Sequence, residues 1–127
     1  MESVSDDIAR TLLAATFLVS AADKSLRPGA ALAEIRTLAG HTRLRLPDAP
    51  ILAGVLVAQW SGGVLLLFDA TATVGAVILL AFLTPVTFVA HQFWSAPKEK
   101  RKEKLDHFLA NAAIAGGLVL VALGQVA

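Results

Sequence analysis

Three stretches of this chain, residues 51–68, 70–90 and 108–126, run without one charged side chain. A helix needs about 20 apolar residues to cross the hydrocarbon core of a bilayer, and each stretch is close to that length. A fourth, residues 8–22, is shorter but extends to residue 26 if Lys24 carries its ammonium toward the membrane surface. The fold class expected is therefore all-α: an integral membrane four-helix bundle. Its helices are predicted at about 8–26, 50–68, 70–94 and 105–123, with basic loops at 27–49 and 95–104. The whole of residues 1–127 then forms a single transmembrane domain.

Composition supports this reading through its distribution. Hydrophobic residues make up 56% and charged residues 17%, against roughly 45–50% and about 25% in an ordinary soluble domain. No cysteine is present, which excludes disulfide exchange, thiolate metal ligation and covalent haem attachment. Glu2, Asp6 and Asp7 occupy the place of a signal peptide's basic region, so the first apolar segment is expected to be retained as a span.

Along helix 1, Thr16, Ser20 and Asp23 recur at i, i+4 and i+7 and so share a face. Either that stripe points into the bundle, or the two hydroxyls bond back to their own helix carbonyls. Arg27-Pro28-Gly29 is expected to end the helix. A short amphipathic helix over residues 30–39 should then lie on the membrane surface, with Leu32, Ile35 and Leu38 on its apolar side. His41 reads as a solvated loop histidine. In helix 2 Gln59 sits near mid-membrane, where an amide is costly unless bonded, so it should face another helix. Gly62-Gly63 leaves room for a close neighbour. Pro85 should kink helix 3, where Thr84, Thr87 and His91 share a face. His107 and Asn111 lie at i, i+4 in helix 4, with Asp106 in its first turn. The pairs Ala112/Gly116 and Ala113/Gly117 allow tight packing.

Four spans place Arg27, Arg36, Arg43, Arg45 and the basic run 98–104 on one side and Arg10 alone on the other. Lysine and arginine are retained on the cytoplasmic side, so both termini should lie on the opposite side. The basic run either binds anionic lipid or a partner, or only sets topology. Asp23, Lys24, His91, Trp94, Asp106, His107 and Asn111 should then meet near the cytoplasmic surface, with Gln59 deeper. Such a polar cluster is either a ligand site or a set of groups that satisfy exposed helix ends. Two histidines at helix ends serve more often as hydrogen-bond partners than as ligands, and no metal site is expected.

Several of these residues resemble a known family. Ala9-Arg10-Thr-Leu-Leu, Phe17-Leu-Val-Ser20 and Asp23-Lys24 look like the opening of DoxX-type membrane proteins. So do His91-Gln-Phe-Trp94, and Phe108-Leu-x-Asn111 followed by Ala115-Gly116-Gly117. Members often carry an acidic residue where Gln59 stands, so any proton-linked role of that acid is in doubt here. The resemblance implies a bacterial inner-membrane protein with periplasmic termini, associated with quinone-linked sulfur oxidation or with complexes handling oxidative stress. Three functions follow. One is a non-catalytic accessory or anchor subunit of a redox assembly. Another is a quinone-reactive subunit, with His91 or His107 exchanging protons and quinone as its cofactor. The third is a small-molecule or lipid carrier acting as an oligomer. The partners expected are the bilayer and other membrane subunits, not nucleic acid.

Overall fold

The computed structural model describes residues 4–39, 47–90 and 93–125. Among them are five α-helices: α1 Val4–Leu26, α2 Pro28–Ala39, α3 Asp48–Leu66, α4 Ala72–Ala90 and α5 Lys98–Ala122. Short 3-10 turns at Asp69–Thr71 and Phe93–Ser95 lead into α4 and α5. Three helical segments, those of α3, α4 and α5, are long and apolar enough to cross a membrane. At 23 residues α1 matches them in length. Asp6, Asp7, Arg10, Asp23 and Lys24 set it apart from them in composition.

The long helices pack in a simple order: α1 against α3, α3 against α4, α4 against α5, with a lighter contact between α5 and α1. Residue pairs show the directions. Arg10 reaches Leu66 and Leu67 while Ser20 reaches Gln59, so α1 and α3 run antiparallel. Asn111 meets Thr87 and Phe108 meets Phe88, near the middle of α5 and the end of α4. One buried cluster joins these helices, built from Ala14, Phe17, Leu66, Ala72, Ala76, Leu79, Leu83, Leu118 and Val121.

Small residues set the closest approaches. Between helices in lipid there is no hydrophobic driving force, and association rests on backbone proximity, dispersion and hydrogen bonds. A Cβ built on Gly62 would stand 2.6 Å from Leu79, and one on Gly63 would stand 2.7 Å from Leu18. The two adjacent glycines thus receive α4 on one side and α1 on the other. The close neighbour expected at Gly62-Gly63 is in fact two neighbours. Gly117 likewise receives Leu13 at 3.2 Å, whereas nothing approaches Gly116.

Two boundaries differ from the sequence reading. The break after α1 is one residue, Arg27, and Pro28 opens α2. Proline suits the first position of a helix, where its missing N–H has no intrahelical partner. The second difference is larger: the charged run 98–104, read as loop, is the first two turns of α5. Lys, Arg and Glu are strong helix formers, and Pro97 precedes the run, its carbonyl accepting the Lys100 N–H at 2.9 Å. A helix does not stop where the membrane does. In α2, Ala31 is buried and Leu32 and Ile35 are half-buried, while Glu34 and Arg36 face outward, as the amphipathic pattern predicts. α2 lies against α3 and α1, and the Arg36 guanidinium pairs with Asp48 at the start of α3. The helix α4 continues through Pro85.

Candidate functional site

In helix α1, Ser20 and Lys24 are one turn apart, and side chains on a helix lean toward its N-terminus. The Lys24 stem therefore runs back along α1, away from the helix end, and its ammonium donates to the Ser20 hydroxyl. It also donates to Gln59 Oε1 on α3 at 3.4 Å. Gln59 Nε2 in turn donates to Ser20 Oγ at 3.3 Å. The amide is 4% exposed, so Gln59 is bonded inside the protein. Next to it, the Trp60 indole N–H donates to Ser25 Oγ at 3.2 Å, a second tie between the same two helices.

The other polar contact joins α4 and α5. Thr87 is buried and donates to its own helix at the Leu83 carbonyl, 2.7 Å away. Its oxygen accepts from Asn111 Nδ2 at 3.2 Å. Beside this pair four aromatic rings pack edge to face. Phe108 has its centroid 5.7 Å from Phe88, 5.3 Å from Phe93 and 5.9 Å from Trp94. Such pairs contribute about 0.5–1.5 kcal/mol each beyond burial. They hold the turn between α4 and α5, which is the place where Trp94 was expected, although its ring remains largely exposed.

The residues singled out from sequence thus divide into groups. Lys24 and Gln59 meet on the α1–α3 side, Asn111 meets Thr87 on the α4–α5 side, and Trp94 belongs to the aromatic group. Asp23 and Asp106 do not join them. Asp23 is exposed and pairs with Arg27 one turn on, while Asp106 lies 3.8 Å from Lys102 on its own helix. His107 is exposed. His91 and His41 lie outside the described residues. The hydroxyl stripes split as well. Thr16 and Thr84 are exposed and bond back to Leu12 and Leu80, while Ser20 and Thr87 face inward. Among the described residues no group of three or more His, Asp or Glu is placed to hold a metal ion.

Arg10 went unnoticed as a structural residue. Its side chain is 2% exposed and donates to the carbonyls of Leu67 at 3.2 Å and Leu66 at 3.5 Å. These belong to the last turn of α3, where carbonyls lack intrahelical partners. Asp7 pairs with the same guanidinium at 2.6 Å. A lone arginine inside an apolar run was the available signal, because such a charge must be paired where it is buried.

The Thr87–Asn111 bond is open to direct measurement. A double-mutant cycle with Thr87→Val and Asn111→Ala is expected to give a coupling of about 0.6 kcal/mol and no more than about 1.7, the range for interhelical bonds in membranes. Additive losses would mean the two side chains do not meet.

Apolar helices of spanning length, knitted by a few buried polar contacts, define an integral membrane protein of the helical class. The model of the DoxX family matches residues 5–92, from α1 to the end of α4, and the chain belongs to that family. Helix α5 lies beyond the matched segment. Neither the curated proteins nor the solved structures gave a match.

Proposed function

We propose that this DoxX-family chain is a four-span protein of the bacterial inner membrane and serves as a non-catalytic accessory subunit. It would anchor a quinone-linked or oxidative-stress redox assembly. In this reading α1 is the fourth span: its charges lie near its two ends, Arg10 is bonded, and Lys24 is turned inward onto Gln59. Both termini lie in the periplasm, and the basic start of α5 lies in the cytoplasm.

One observation carries the accessory reading. Lys24, Gln59, Trp60 and Arg10 tie α1 to α3 and its C-terminal turn, and Asn111 ties α5 to α4. Side chains used in this way hold helices together. The aromatic group beside Asn111 supports a second reading, in which a quinone ring lies against Trp94 and Phe93 in a redox-active subunit.

Purification from native membranes in mild detergent separates the two. A stoichiometric protein partner with no bound quinone is expected; quinone retained by the isolated chain would favour the second reading. For topology, a reporter fused after Ala127 should be active in the periplasm. Activity confined to the cytoplasm would overturn the four-span arrangement.

A further inference from the structure

The first two turns of α5 divide their charge by side. A helix turns about 100° per residue, so Lys98, Arg101 and Lys102 fall within one sector, while Glu99 and Glu103 fall outside it. Lys100 and Lys104 lie across the helix, on the side that carries Asn111 and Leu118 into the bundle. Farther along, the sector of Lys98, Arg101 and Lys102 continues as Leu109, Ala112 and Gly116, all exposed. These cations therefore stand above the face of α5 that the other helices leave open. In a spanning helix the default neighbour of such an apolar face is lipid, whose tails are as apolar as leucine.

Their depth follows from the helix rise. Leu105 is the first apolar residue after the charged run. From there to Ala122 the helix rises about 26 Å, close to the hydrocarbon thickness of roughly 30 Å. Lys102 and Arg101 then stand about 4.5 and 6 Å beyond the hydrocarbon edge, within a headgroup layer about 5–8 Å deep. Lys98, one turn higher, lies at its outer margin. Trp94 marks the same level independently. Its ring is exposed and packs on Phe108 at 5.9 Å, two turns below Arg101 on the same side of the helix. Tryptophan concentrates at the membrane–water interface.

Contacts within the chain leave these charges largely available. Arg101 reaches the Ala96 carbonyl at 3.5 Å, and Lys102 lies 3.8 Å from Asp106 with its side chain 90% exposed. Setting topology depends on how many basic residues a loop carries, and does not require them on one side of a helix. An anionic headgroup beside that helix does.

We propose that Lys98, Arg101 and Lys102 bind the headgroups of anionic phospholipids whose acyl chains lie along Leu109, Ala112 and Gly116. The proposal rests on α5 spanning the bilayer and not on the accessory-subunit reading.

The purified chain in vesicles tests this with no other protein present. The chain has two tryptophans, so Trp60→Phe leaves Trp94 as the sole indole, quenched by brominated acyl chains that touch it. Brominated phosphatidylglycerol is expected to be preferred at Trp94 over brominated phosphatidylcholine by about tenfold. Each cation near an anionic surface strengthens attraction by up to about fivefold, so Lys98→Gln with Lys102→Gln is expected to bring that ratio close to one. Lys100→Gln with Lys104→Gln removes the same charge at the same spacing from the opposite side, and should leave the preference within about twofold. In brominated phosphatidylcholine alone all three proteins should be quenched alike, because Trp94 stays at one depth. Equal quenching by the two lipids in the parent chain would overturn the proposal and leave the run to topology or to a protein partner. Equal loss from the two lysine pairs would overturn it as well, since net charge and not this face would then attract the lipid.

Discussion

Gly75→Ala is expected to be among the most damaging single substitutions in this protein, although it adds one methyl group. A Cβ at position 75 would stand 2.7 Å from the Gly62 carbonyl oxygen and 2.8 Å from the Leu66 nitrogen. Both are backbone atoms of α3, so no side chain can turn aside. The helices must separate, and Leu66 and Leu79, both fully buried, lose contacts that lipid-embedded helices depend on. Overpacking of this kind costs about 1–3 kcal/mol, and more where backbone must move. The better helix propensity of alanine returns at most about 1 kcal/mol, so a net loss of about 2 kcal/mol is expected. Gly54→Ala is the control. Its Cβ would meet nothing within 4 Å, and a gain of up to about 1 kcal/mol is expected. Reversible unfolding in mixed detergent micelles reads both. Equal behaviour of the two variants would show that α3 and α4 do not touch at Gly75.

The second large effect concerns Lys24. Its ammonium is held by Ser20 and by Gln59 Oε1, and Gln59→Leu removes the interhelical acceptor. A loss of about 1–3 kcal/mol is expected, because one partner is deleted and a charged donor is left under-satisfied. Gln59→Glu should behave oppositely. It converts a 3.4 Å contact into a charge-assisted one, which is roughly twice as strong as a neutral bond. Stability at or above that of the parent is therefore expected. Adding Lys24→Met to Gln59→Leu should recover part of the loss, since the half-buried side chain keeps its packing and no donor is left short of a partner. Thermal unfolding in detergent tests all three. If Gln59→Leu proves neutral, Gln59 faces lipid, and the contact between α1 and α3 at this depth is wrong.

Much of the fold was legible because apolar length and charge breaks report directly on helices that must satisfy their backbone in lipid. The bonded state of Gln59 was readable for the same reason: a mid-span amide demands a partner. The helical run 98–104 was not. Hydropathy marks where a chain leaves the membrane, whereas helix formation follows backbone propensity, and the two boundaries need not coincide. Arg10 could have been flagged as a paired charge. Its partner could not have been named, because an arginine that caps a helix end binds carbonyls, which every residue carries.

The three apolar helices of spanning length and their order, the close approach at Gly62-Gly63 and the asymmetry of basic residues were present in the sequence, since each depends on local composition, whereas Gly75 was not singled out and nothing approaches Gly116. The identity of each polar partner was decided by the tertiary structure. Ser20 and Gln59, separated by 39 residues, meet because Gly63 lets α1 approach α3 with Ser20 turned inward and Thr16 turned out. Asp23 and Lys24 are adjacent in sequence, yet one faces solvent and the other faces Gln59. Consecutive helical residues point about 100° apart, and only the rotation of packed helices about their axes decides which of the two is enclosed.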